Sequence, residues 1–133
     1  MKLTNTKWMI GSAMVVLLLV GCATSPEPAG PVTYHADNDV RYAMRDMVIN
    51  INRSRDGYLE TVMLDGFGAG QQRSSVEWSI VWYEASGQRV SGISDRYRRM
   101  TVSPAIPFQM AATAPVPNAS RAHIHVRLSR TAD

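Results

Sequence analysis

Beyond a Pro-rich stretch near its start, the chain alternates apolar and polar residues with a period of two, the mark of strands buried on one face. The clearest run is Ser75 to Glu84. Val76, Trp78, Ile80 and Trp82 share one side, and Glu77, Ser79, Val81 and Tyr83 share the other. Near the end, Ala122, Ile124, Val126 and Leu128 alternate with Arg121, His123, His125 and Arg127. Shorter runs lie between. Met47, Ile49 and Ile51 alternate with Val48, Asn50 and Asn52. Tyr58 to Asp65 sets Leu59, Thr61 and Met63 against Glu60, Val62 and Leu64. Arg98 to Val102 is a short strand, and Phe108, Met110 and Ala112 alternate again. Arg41 to Asn50 is the one stretch compatible with a helix, but its continuation has the strand period.

Turn residues separate these runs. Arg55 to Gly57 predicts a hairpin turn, and Ala85-Ser86-Gly87-Gln88 predicts a second. The glycines from Gly66 to Gly70 predict a strand break and an open loop, and Pro104, Pro107, Pro115 and Pro117 mark later breaks. About six or seven short strands at near-regular spacing predict an all-β fold, an immunoglobulin-like β-sandwich. Trp78, Ile80, Trp82, Ile124 and Val126 are the expected core between its sheets.

The first residues follow a different pattern. Lys2 and Lys7 form a positive start, and Trp8 to Val20 is an apolar run too short for a comfortable membrane span. It ends in Leu19-Val20-Gly21-Cys22, which resembles the lipobox of bacterial lipoproteins. The resemblance implies a signal peptide over 1–21, acylation of Cys22, and anchoring to a membrane rather than crossing of it. Ala23 after the cysteine implies the outer membrane, at its periplasmic face. Ala23 to Pro31 holds three prolines and a glycine, so 22–39 is expected to be a lipidated cysteine and flexible tether. The β-sandwich domain is then expected over 40–133.

Charge narrows the partners. The whole chain carries 14 Lys and Arg against 11 Asp and Glu. Both lysines lie in the leader, which leaves 12 Arg against 11 acidic residues and a net charge near +1. That balance gives no reason to expect nucleic acid. The one cysteine allows no internal disulfide.

The passage from Val76 to Val126 resembles the YcfL-like family of uncharacterised bacterial lipoproteins. Val76-Glu77-Trp78-Ser79-Ile80-Val81-Trp82-Tyr83-Glu84 carries the likeness, with Gly87, Tyr97, Met100-Thr101-Val102 and Ala112-Thr113-Ala114-Pro115. Glu84 stands where the family more often has Asp, and Gly66-Phe67-Gly68 departs from its usual strand end. The resemblance implies a tethered sandwich and no catalytic residues.

Chemistry-bearing motifs are sparse. Gly66 to Gly70 lacks the Lys and Ser/Thr of a phosphate loop. His123 and His125 point to one side of the last strand, but His35 falls in the expected tether and no acidic pair stands beside them, so no metal or cofactor is expected. Neither Glu77 with Glu84 nor Asp65 with Asp95 is singled out by spacing. The candidate binding residues are Arg96, Tyr97, Arg98 and Arg99, where cations flank an aromatic ring suited to an anionic glycan, headgroup or acidic protein. Charges that guard a strand edge are the plainer reading of the same four. The expected function is non-catalytic: an outer-membrane lipoprotein that binds or supports another envelope protein. The alternative is a small periplasmic hydrolase or ligand-binding protein acting on cell-wall fragments.

Overall fold

The computed structural model describes residues 30–129. The expected leader, Cys22, Ala23 and the tether up to residue 29 lie outside them. Eight strands follow in order: β1 (Val32–Ala36), β2 (Met44–Arg53), β3 (Leu59–Gly68), β4 (Ser74–Glu84), β5 (Arg89–Val90), β6 (Arg98–Val102), β7 (Pro107–Thr113) and β8 (Ala119–Leu128). Short 3-10 turns at Asn38–Tyr42 and Ile93–Asp95 complete the described elements.

The strands form two sheets, as the alternation predicts. One holds β1, β8 and β4 in that order, with β5 and β6 sharing the far edge of β4. The other runs β2-β3-β7. In the first sheet β4 pairs antiparallel with β8, placing Trp78 opposite Val126, Ile80 opposite Ile124 and Trp82 opposite Ala122. All five expected core residues are buried, against Val62, Leu64, Met110 and Ala112 of the second sheet. Each tryptophan brings about 200 Å² of largely apolar surface, which at about 25 cal/mol per Å² gives roughly 5 kcal/mol as an upper bound. Trp82 is fully buried, and its indole N–H donates to Ser94 Oγ at 3.0 Å. The Ile93–Asp95 turn therefore closes the gap between β5 and β6.

Three expectations need correction. The sandwich takes in residues before Val40. Val32–Ala36, expected to be tether, pairs in parallel with β8, and Ala122 N–H bonds Pro31 C=O at 2.9 Å. A five-residue segment shows no such role by itself, because its partner strand lies some ninety residues away in sequence. Second, β3 runs on through Gly66 to Gly68. A Cβ on Gly68 would sit 1.8 Å from the Ser103 carbonyl oxygen, so this glycine admits a crossing backbone. Third, Leu59 faces the core with Val62 and Leu64 instead of sharing a face with Thr61 and Met63. Asn52 pairs with Thr61 but Arg53 pairs with Leu59, so Glu60 is an extra residue that turns the strand over. The two expected turns form, with Gly57 at φ 84° and Gly87 at φ 87°.

Candidate functional site

The outer face of the first sheet is set by the same alternation that fills the core. On β8 the inward Ile124 and Val126 leave His123, His125 and Arg127 facing out. On β4 the outward set includes Glu77, and on β1 it is Thr33 and His35. Register then aligns them: His35 stands opposite His125, Thr33 opposite His123, and Glu77 opposite Arg127.

Asp37 joins this row from just beyond β1. Its backbone N–H donates to Val126 C=O at 3.0 Å, and its carbonyl accepts from Val40 as the 3-10 turn begins. That fixes Asp37 Oδ1 2.9 Å from His125 Nε2 and 3.8 Å from His35 Nε2. A carboxylate only accepts, so the His125 proton sits on Nε2. In the neutral ring Nδ1 then accepts from the Tyr97 hydroxyl, which lies within hydrogen-bond reach. The hydrogen bond from His125 holds the Asp37 carboxyl below its ordinary range, and the charges of His125, His35 and Arg127 lower it further. His125 is thus fixed at both ring nitrogens, by Asp37 and by Tyr97.

A second knot adjoins the first. Arg127 Nε donates to Glu77 Oε2 at 2.9 Å, and Arg99 Nη2 donates to Glu77 Oε1 at 3.4 Å. These two bonds hold the Glu77 carboxyl below its usual range, the Arg127 bond contributing most. The Arg127 guanidinium also lies 3.7 Å from the centre of the Tyr97 ring, a cation–π contact. Asp37, Asp39, Glu77, His125, Arg127 and Leu128 line a depression of about 480 Å³.

The four expected binding residues divide between two environments. Tyr97 and Arg99 belong to this outer face. Arg98 turns the other way and stacks 4.0 Å over the Trp78 ring, where burial lowers its pKa. Arg98 therefore covers the core edge, and among the described residues the Arg96 side chain makes no hydrogen bond or ion pair to the other three. Strand alternation at β6 separates neighbours in sequence, so the cluster is not one surface.

His123, by contrast, is engaged by Thr33 Oγ1 at 2.7 Å and stands apart from the trio. Burial lowers its pKa, and the nearby His125 and His35 lower it further. Asp65 accepts from Asn50 and Gln109 on the second sheet, whereas Asp95 accepts from Arg89 beside the first. Glu77 and Glu84 lie seven positions apart on one strand, roughly 23 Å. Neither carboxylate pair converges. The grouping that does form is His35, Asp37 and His125: a single carboxylate rather than an acidic pair stands beside His125, and His35 joins it from a segment expected to be tether. The donor atoms of the three all lie within 4.8 Å of one another. The sequence signal was incomplete because His35 and Asp37 reach His125 only through the β1–β8 pairing.

No family model and no curated protein matches the chain. Two solved bacterial proteins are similar in fold. Campylobacter jejuni cj0090 shares 11% identity at a TM-score of 0.51, over 75% of this chain and 99% of that one. A DUF1425 family member from Shewanella sp. pv-4 shares 16% identity at a TM-score of 0.52, over 62% of this chain and 75% of that one. These likenesses establish the two-sheet β-sandwich as a fold shared with bacterial proteins.

Proposed function

We propose that the protein is a lipid-anchored envelope protein of the YcfL-like kind, whose sandwich binds a ligand through the outer face of its β1-β8-β4 sheet. Cys22 carries the acyl chains and holds the domain at the periplasmic face of the outer membrane. The leader pattern and the lipobox-like Leu19-Val20-Gly21-Cys22 support the anchor. One observation carries the binding role: His125, Asp37, Tyr97, Arg127, Glu77 and Arg99 converge on one sheet face, cross-linked by hydrogen bonds and ion pairs. Polar groups held in fixed relative positions suit recognition better than a freely solvated surface does.

A second reading, a small hydrolase acting on cell-wall fragments, is favoured by the carboxylate set between two imidazoles. Turnover separates the two. Capture of an envelope component with no cleavage of cell-wall fragments supports the first reading, and cleavage lost in His125→Ala supports the second.

Crosslinking in living cells tests the binding face. A photo-reactive residue at Arg99 or Arg127 should capture an envelope component, and one at Gln109 on the opposite sheet should not. Equal capture from both sheets would remove the assignment. The anchor has its own test: Cys22→Ser should lose both fatty acid by mass and sedimentation with the membrane fraction.

A further inference from the structure

Three metal-type donors meet on the seam between β1 and β8. His35 Nε2 on β1, Asp37 Oδ1 just beyond it and His125 Nε2 on β8 are brought together only on folding. In a tetrahedral site with bonds of about 2.1 Å, neighbouring donors stand roughly 3.4 Å apart. The observed separations from Asp37, 2.9 Å to His125 and 3.8 Å to His35, bracket that value. His35 and Asp37 are 64% and 48% exposed, so both have room to adjust about an ångström, while His125, at 26%, is the fixed member.

We propose that His35, Asp37 and His125 form a three-ligand site for a divalent first-row transition ion, with Tyr97 as the positioning residue for His125. Two imidazoles with one carboxylate suit such ions, whereas Ca²⁺ and Mg²⁺ call for oxygen-rich sets. Three protein ligands leave a tetrahedral position open to solvent, at the edge of the depression lined by Glu77 and Arg127. Binding needs a lone pair on His125 Nε2, so the ring proton passes to Nδ1. Tyr97 oxygen, the donor to the Nε2–H tautomer, then accepts that proton's hydrogen bond. The change is a tautomer shift with no net loss of a proton from a neutral ring, and Tyr97 can serve either tautomer.

The inference names the ligand of the face proposed above and so rests on that reading. The two fail separately. Zinc binding is read by calorimetric titration of the full chain in detergent. Capture of an envelope component is read by crosslinking in excess chelator.

Zn²⁺ should bind at one ion per chain. His35→Ala, Asp37→Asn and His125→Ala should each weaken it about tenfold or more, and Tyr97→Phe should weaken it about tenfold at unchanged stoichiometry. His123→Ala, which removes a histidine outside the trio, should leave affinity unchanged. Melting curves recorded without metal identify variants that keep the fold, and His35→Gln supplies a milder exposed change should an alanine variant unfold. Absence of zinc binding in the wild-type chain overturns the site. So does equal loss on His123→Ala, which would mark adventitious binding by surface histidines. Failed zinc binding with intact crosslinking removes the ion alone. Zinc binding with no crosslinking from Arg99 or Arg127 retains the ion and removes the partner.

Discussion

His35 and His125 stand opposite each other in the parallel ladder of β1 on β8, with ring centroids 5.2 Å apart and planes tilted by 31°. Asp37 bridges their edges, so the candidate site joins the first described strand to the last. Its geometry depends on the β1–β8 register, and that register depends on the core beneath.

Trp82 anchors the core both by packing and by its bond to Ser94. Trp82→Ala should cost about 3–5 kcal/mol in urea unfolding. Trp82→Phe keeps much of the packing but leaves the buried Ser94 hydroxyl without its partner, for about 1–3 kcal/mol. Adding Ser94→Ala to Trp82→Phe should recover part of that loss. A strictly additive double variant would show that the hydrogen bond carries no coupling.

Gly68 and Gly57 should respond differently to alanine. At Gly68 the new Cβ meets the Ser103 carbonyl, and the backbone must move, for about 2 kcal/mol or more. At Gly57 the space is open and only the positive φ resists, for about 1 kcal/mol. The urea midpoints of the two variants rank these costs, and a reversed order would contradict the crossing described here.

The arginines of β6 should separate stability from binding. Arg98→Ala loses the stack on Trp78 and should lower stability by about 0.5–1 kcal/mol. Arg99→Gln, which removes the charge without setting a second carboxylate opposite Glu77, should leave the melting curve within about 0.5 kcal/mol of wild type while reducing envelope crosslinks from Arg127. Matched effects of the two substitutions would mean that alternation along β6 does not divide them.

Acid sensitivity should trace in part to Glu77. Its carboxyl titrates lower in the folded chain than its ordinary value of 4.5, because Arg127 and Arg99 bond the charged form. The stability this gives is fully present above about pH 4.5 and is lost as pH falls through the lower folded value. Glu77→Gln should flatten the stability profile below pH 4.5 relative to wild type. A profile parallel to wild type would deny the linkage.

The layers of this fold were legible where one strand carries its own pattern. Trp78, Ile80 and Trp82 declare an inward face through local alternation, and Ile124 and Val126 declare another. Leu59 was misassigned because one additional residue, Glu60, reverses strand parity, and nothing local marks that insertion. β1 was missed because five residues after a Pro-rich stretch become a strand only through a partner far along the chain. The trio inherits that obstacle: His35 and Asp37 looked like tether residues until β1 brought them to His125. The Arg96–Arg99 group shows the opposite effect, since adjacency in sequence sends alternate strand residues to opposite faces.

The parallel pairing of β1 with β8 also sets how the domain takes mechanical load. Tension applied between Gly30 and Ser129 would run lengthwise along the parallel β1–β8 ladder and strain it in shear, so that its bonds yield together instead of peeling away singly. An ion clasping His35 and Asp37 to His125 would rivet that same joint. Occupancy would then govern how much force the domain withstands before its leading strand tears free.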